Sequence, residues 1–103
     1  MADFVLAFHG GKMPETDEQR NEVMGKWNNW MEGLGDKLVN PGAPVGMSKT
    51  ITANGVEDNG GSNPLSGLTI ISADNIDAAI ALAKPCPHLE YEGTIEVAEM
   101  MQM

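Results

Sequence analysis

Phe4-Val5-Leu6-Ala7-Phe8, closed by His9-Gly10-Gly11, is the stretch on which the fold turns. The run is shorter than an ordinary helix, and its aromatic and β-branched content suits a strand. It lacks the apolar/polar alternation of a strand with one wet face, which indicates burial on both faces. Leu65 to Ser72, with Leu68-Thr69-Ile70-Ile71 inside it, reads the same way. The chain therefore has two strands that want apolar neighbours above and below the sheet.

Between these strands, Thr16-Asp17-Glu18-Gln19 has the spacing of a capping box, with Asp17 and Glu18 at the positive end of a helix dipole. Val23, Met24, Trp27, Trp30, Met31 and Leu34 then recur at helical spacing, and Gly35 suits a C-terminal stop, so a helix is predicted over about residues 17 to 34. Lys37-Leu38-Val39 is a short extended piece broken by Pro41-Gly42-Ala43-Pro44. Met47 to Ala53 is rich in β-branched residues and reads as a strand, followed by the turn signal Asn54-Gly55. Residues 54 to 64 read as a mobile loop, and 101 to 103 as a fraying tail. Asp74 is the expected cap of a second helix whose buried stripe is Ile76, Ala79, Ile80 and Ala83, stopped by Pro85. Gly93 opens a last strand, Thr94 to Met100.

If the 37–39 and 47–53 pieces form one interrupted strand, the order is β-α-β-β-α-β. That is a single α+β domain over 1–103 of the ferredoxin-like kind, an antiparallel sheet with two helices on one face. Its first and third strands lie side by side at the centre. Two helices cover one face only, yet the central strands are apolar on both. A second copy, packed sheet to sheet, is the economical cover and makes a homodimer. The competing cover is the 54–64 loop folded across that face.

The chain has 103 residues and a net charge of −9, from 15 carboxylates against 6 Lys and Arg, and the basic residues are scattered. No basic footprint exists to displace counterions from nucleic acid, and an anionic membrane surface would repel the chain. Cys86 is alone, so no internal disulfide forms; the start Met-Ala-Asp-Phe lacks a signal-peptide pattern, and no apolar run approaches membrane-spanning length. The expected location is the cytoplasm.

His9 ends the first strand and His88 precedes the last, which runs antiparallel beside the first, so both imidazoles are expected at one end of the sheet. Taking the third strand as parallel to the first brings Ser72 and Asp74 to that end as well. A His beside a carboxylate is the minimal acid–base pair. Trp27 and Trp30 lie on one helix face and either wall an apolar ligand site or pack the core. Cys86 beside His88 reads as a structural thiol. Short-spaced His or Cys pairs, calcium-loop spacing and a phosphate loop are lacking in the sequence, so neither metal nor cofactor is expected.

The chain resembles the YCII-related (YciI-like) family over most of its length. The resemblance rests on His9-Gly10, Trp27-Asn28-Asn29-Trp30 running into Leu34-Gly35-Asp36, and Val39-Asn40-Pro41-Gly42-Ala43-Pro44. It continues through Ser66-Gly67-Leu68-Thr69-Ile70-Ile71, Ala73-Asp74 with Asp77-Ala78-Ala79, Cys86-Pro87-His88-Leu89 and Gly93-Thr94-Ile95-Glu96-Val97. It implies a ferredoxin-like fold assembled as a dimeric α+β barrel, with a pocket holding a His and an Asp. His88 best matches that pattern, with His9 and Asp36 behind it as catalytic candidates; Trp27, Trp30 and Ser66 are the ligand-contacting candidates. The sequence departs from the family where one branch has a His on the first helix, here the Trp27–Trp30 segment, and where another has Asp-Gly-Pro-Phe, here Ser62-Asn63-Pro64-Leu65. Two functions stand open: a cofactor-independent small-molecule enzyme using His88 as acid or base, and a non-catalytic ligand-binding or regulatory dimer.

Overall fold

The two apolar runs become the paired centre of a sheet. The structure is a computed structural model that describes residues 1–59, 61 and 63–101. Strand β1 (Ala2–Gly10) and helix α1 (Asp17–Leu34) are followed by β2 (Leu38–Pro44), β3 (Thr50–Thr52), β4 (Gly55–Glu57), β5 (Leu65–Ala73), α2 (Ile76–Ala83) and β6 (Gly93–Glu99). A four-stranded sheet runs β2-β5-β1-β6, while β3 and β4 form a separate two-stranded hairpin. The fold is α+β, with two helices and an antiparallel sheet.

Two expectations about the strands are corrected. The central pair is antiparallel, with Ala2 opposite Ala73 and Phe8 opposite Gly67, so Ser72 and Asp74 sit at the far end of the sheet from His9. The reason lies in the connections: the crossover through α1 returns the chain so that β2 runs parallel to β1, and β2 pairs antiparallel with β5, which sets β5 antiparallel to β1. The 47–53 segment is not part of the sheet strand either. Its Thr50–Thr52 portion folds back on 55–57 across an Ala53-Asn54 turn, so the expected 54–64 loop is partly paired; residues 60 and 62 of that loop, and 102 and 103 of the tail, lie outside the described residues.

Pro41 does not break β2, which runs on to Pro44, because β2 is an edge strand and prolines are tolerated where one side of the backbone needs no partner. The register slips around Asn40 and again before Ala43. Asn40 fills the gap: its Oδ1 accepts from Gly42 N at 2.8 Å.

Helix α1 starts as its sequence requires. Thr16 Oγ1 accepts from Gln19 N at 3.1 Å, and Gln19 Oε1 reaches back to accept from Glu15 N at 2.8 Å. Helix α2 starts one residue later than expected: Asn75 Oδ1, not Asp74, accepts the Ala78 N–H at 2.8 Å. Its buried positions are Ala79 and Ala83, while Ile76 and Ile80 are exposed. Small residues on the inner face let this short helix approach the sheet closely, which turns the isoleucines outward.

Both helices pack on the sheet face that carries Phe4, Leu6 and Phe8. With Ile71, Ala73, Trp30, Leu34, Ala79, Ala83 and Cys86 these make the core. At about 25 cal/mol per Å2, each such large side chain contributes roughly 1.5–3 kcal/mol. The opposite face presents Val5 opposite Ile70 and Ala7 opposite Leu68, all half-buried. The molecule spans 18 Å in its thinnest direction, which one layer of helices on one sheet fills.

Candidate ligand-binding groove

Helix α1 touches the core only through its C-terminal half. Trp30 and Leu34 are buried, whereas Val23, Trp27 and Met31 are half-buried and Met24 is exposed. Beneath the N-terminal half, the sheet offers small residues, Gly67 and Thr69 on β5 with Gly42 and Ala43 on β2. An apolar half-helix over a floor of small residues leaves space, and a groove of about 500 Å3 opens there. Phe8, Met24, Trp27, Met31, Pro44 and His88 are among its lining residues.

The end of the groove is built by Pro87–Tyr91, a 3-10 turn entered through Cys86. Lys12 N donates to Tyr91 O at 2.6 Å, tying the turn to the segment after β1. Lys26 on α1 reaches Tyr91 Oη at 3.4 Å and lies 3.8 Å from carboxylate oxygens of both Glu90 and Glu22. The Tyr91 hydroxyl, and after it the Glu90 carboxylate, hold the Lys26 ammonium above its ordinary value.

His88 is held in a slot between two glycines. A Cβ on Gly11 would come 2.8 Å from its Cε1, and a Cβ on Gly93 would overlap its Nε2 and Cδ2. Its ring lies 5.3 Å from the Phe8 ring and 6.4 Å from that of Trp27, centroid to centroid. His88 Nε2 lies 2.9 Å from the backbone oxygen of His9. A carbonyl oxygen only accepts, so Nε2 carries the hydrogen, and in the neutral ring Nδ1 carries the lone pair. Nδ1 has no partner among the described residues and is not sealed from solvent.

Of the sequence candidates, His88, Trp27 and Ser66 line the groove. Ser66 Oγ is already committed, donating to Phe8 O at 2.9 Å. Trp30 takes the core-packing alternative: it is 8% exposed and its Nε1 donates to Leu82 O at 3.0 Å, joining the helices. His9 shares the sheet end with His88 but gives the site only its carbonyl. Its ring points to the other face, where Nδ1 lies 3.0 Å from Asn63 O and Nε2 3.1 Å from Glu96 Oε1. Asp36 sits in the turn 35–37, next to Leu38, which pairs with Ile71, and Ile71 in turn pairs with Phe4. That places Asp36 at the end of the sheet away from His88, so the expected His and Asp do not meet. Tyr91 and the glycine slot are site features beyond the sequence candidates, and Gly10-Gly11 and Gly93 are the sequence signal for the slot.

Cys86 is buried, and desolvation pushes its thiol up to about 11, against a smaller opposing effect of the His88 backbone N–H. It is no nucleophile for the groove. With the thiol raised from 9.0 to about 11, alkylation by iodoacetamide at pH 8 is expected to run about a hundredfold slower in the folded protein than in urea-unfolded chain. Equal rates, followed by mass spectrometry, would contradict the buried placement.

Among the described residues no three His, Cys, Asp or Glu side chains cluster closely enough to hold a metal ion, and no helix is long and apolar enough to cross a membrane. No family model matches the chain, and searches of curated proteins and solved structures return no match.

Proposed function

We propose that this chain is a ferredoxin-like protein, similar to the YCII-related family and assembled as a sheet-to-sheet homodimer with the geometry of a dimeric α+β barrel, that binds a small, largely apolar molecule in the groove under α1. The observation that carries the reading is the groove itself: about 500 Å3 with aromatic and methionine walls and His88 at one end, the size and lining typical of small-molecule sites. The strand order β2-β5-β1-β6, with both helices on one face, supports the fold assignment. The apolar pairs Val5–Ile70 and Ala7–Leu68 on the other face support the dimer.

Among the described residues the groove lining holds an imidazole and no carboxylate, which favours binding over acid–base catalysis. One observation speaks for the enzyme reading: Nδ1 of His88 has a lone pair and no partner, and such a nitrogen can take a proton from a bound substrate. Turnover that survives His88→Ala would exclude that role.

The binding reading is tested with methyl-labelled methionine and naphthalene as probe. Met13, Met24 and Met31 line the groove, while Met47 is fully exposed elsewhere. Chemical-shift changes are expected at the first three methyls and absent at Met47. No saturable change, or changes spread evenly over all methyls, would reject the groove as a binding site.

A further inference from the structure

Resting on the reading of the groove as a ligand site, we infer that its ligands are aromatic molecules bearing a hydroxyl that donates to Nδ1 of His88, phenols as a class. The tautomer of His88 sets the class. The His9 carbonyl takes the hydrogen from Nε2 at 2.9 Å, and the two glycines leave the ring little room to turn over. A Cβ at Gly93 would overlap Nε2 and one at Gly11 would crowd Cε1, so the ring fills the slot on both sides. The neutral ring therefore presents an acceptor, and an acceptor recognises a donor.

The rest of the lining narrows the class. Phe8 and Trp27 stand edge to face at 5.3 Å and 88°, and Phe8, Trp27, Met24 and Met31 line the groove. These are surfaces on which a flat ring packs, and methionine sulfur favours aromatic contact. Among the other polar lining groups Lys12 and Asn28 are exposed to solvent, and Ser66, Thr69 and Tyr91 have partners in the protein. Ser66 Oγ donates to Phe8 O, Thr69 Oγ1 donates to Pro41 O at 3.1 Å, and Tyr91 Oη meets Lys26. An apolar ring with one donor leaves the fewest groups unpaired. A carboxylate ligand would set an acceptor against an acceptor at Nδ1.

Three probes of one ring size separate the possibilities by calorimetry on the wild-type protein at pH 7.5: 2-naphthol, 2-methoxynaphthalene and 2-naphthoate. The expected order is 2-naphthol about tenfold tighter than 2-methoxynaphthalene, the effect of one neutral hydrogen bond, with 2-naphthoate no tighter than the ether. In His88→Phe, which keeps a ring and removes the acceptor, the preference for naphthol over its ether should vanish while both still bind. Equal affinity of naphthol and ether in the wild type, or tightest binding of the naphthoate through Lys12, overturns the donor class and leaves the groove a binding site. Failure of all three to bind overturns the groove reading itself. If His88→Phe does not fold, the wild-type ranking decides alone.

Discussion

Gly42→Ala is expected to lower the unfolding free energy by about 3 kcal/mol, and Gly46→Ala, four residues on, by almost nothing. Gly42 has φ 65, which costs an alanine about 1–2 kcal/mol. A Cβ there would also overlap the carbonyl oxygen of Leu68 and lie 2.8 Å from its carbon and 3.4 Å from Thr69 Cα. These are backbone atoms of the neighbouring strand and cannot rotate aside, so β2 must lift off β5. Lifting it strains the Thr69 Oγ1 to Pro41 O bond and the Asn40 to Gly42 bond, each of about 1 kcal/mol. Gly46 has open space around its Cβ position. Against a stability of about 5–15 kcal/mol, the loss should appear in urea titrations as a lower midpoint at unchanged slope, and as a fall in Tm of more than about 10 °C. Matching midpoints for the two variants would show that β2 does not ride on β5 at this point. Because Pro41 to Pro44 also form one wall of the groove, the variant should lose naphthalene binding along with stability.

Element identity was legible wherever one force dominated. The runs 4–8 and 68–71 read as strands and are the central pair of the sheet, and the 3.6-residue spacing from Val23 to Leu34, with Thr16 in front, marked α1 to within a residue. What stayed hidden depended on partners far away in sequence. Pro41-Gly42-Ala43-Pro44 looks like a strand breaker until an edge position and the Asn40 side chain remove the need for its backbone donors. Ile76 and Ile80 look like a buried stripe until Ala79 and Ala83 turn out to be the residues small enough to face the sheet. The candidate site shows the same division. The approach of His88 to β1 followed from the antiparallel pairing of the first and last strands. The direction of the His9 ring is set by strand parity and the irregularity at Phe8/His9, and the far position of Asp36 by the antiparallel sense of β5, which short local patterns do not encode.

A single charge on the open sheet face should turn the proposed dimer into monomers. Ile70 stands at the middle of that face, opposite Val5 on one side and Asn40 on the other. In a twofold sheet-to-sheet pair each substitution enters the interface twice. Burying two unpaired ammonium groups costs at least about 4 kcal/mol in all, which is roughly a thousandfold in the dissociation constant. The face has little to spare: four strands at about 4.8 Å spacing and about 25 Å of length offer roughly 500 Å2 per copy, so the pair buries about 1,000 Å2, the low end for a specific interface. Lysine is the informative choice, because it reduces the charge of −9 per chain; two copies of Ile70→Lys repel each other less over long range, and any loss of association must come from the face itself. Sedimentation equilibrium at 50 μM and 0.15 M salt should give twice the chain mass of 11.0 kDa for the wild type and the chain mass for Ile70→Lys. Ile80→Lys, on the exposed side of α2, should remain dimeric. A monomeric wild type would reject the assembly. A dimer that survives Ile70→Lys but not Ile80→Lys would move the interface to the helices, and the apolar pairs Val5–Ile70 and Ala7–Leu68 would then lack a second copy to bury them.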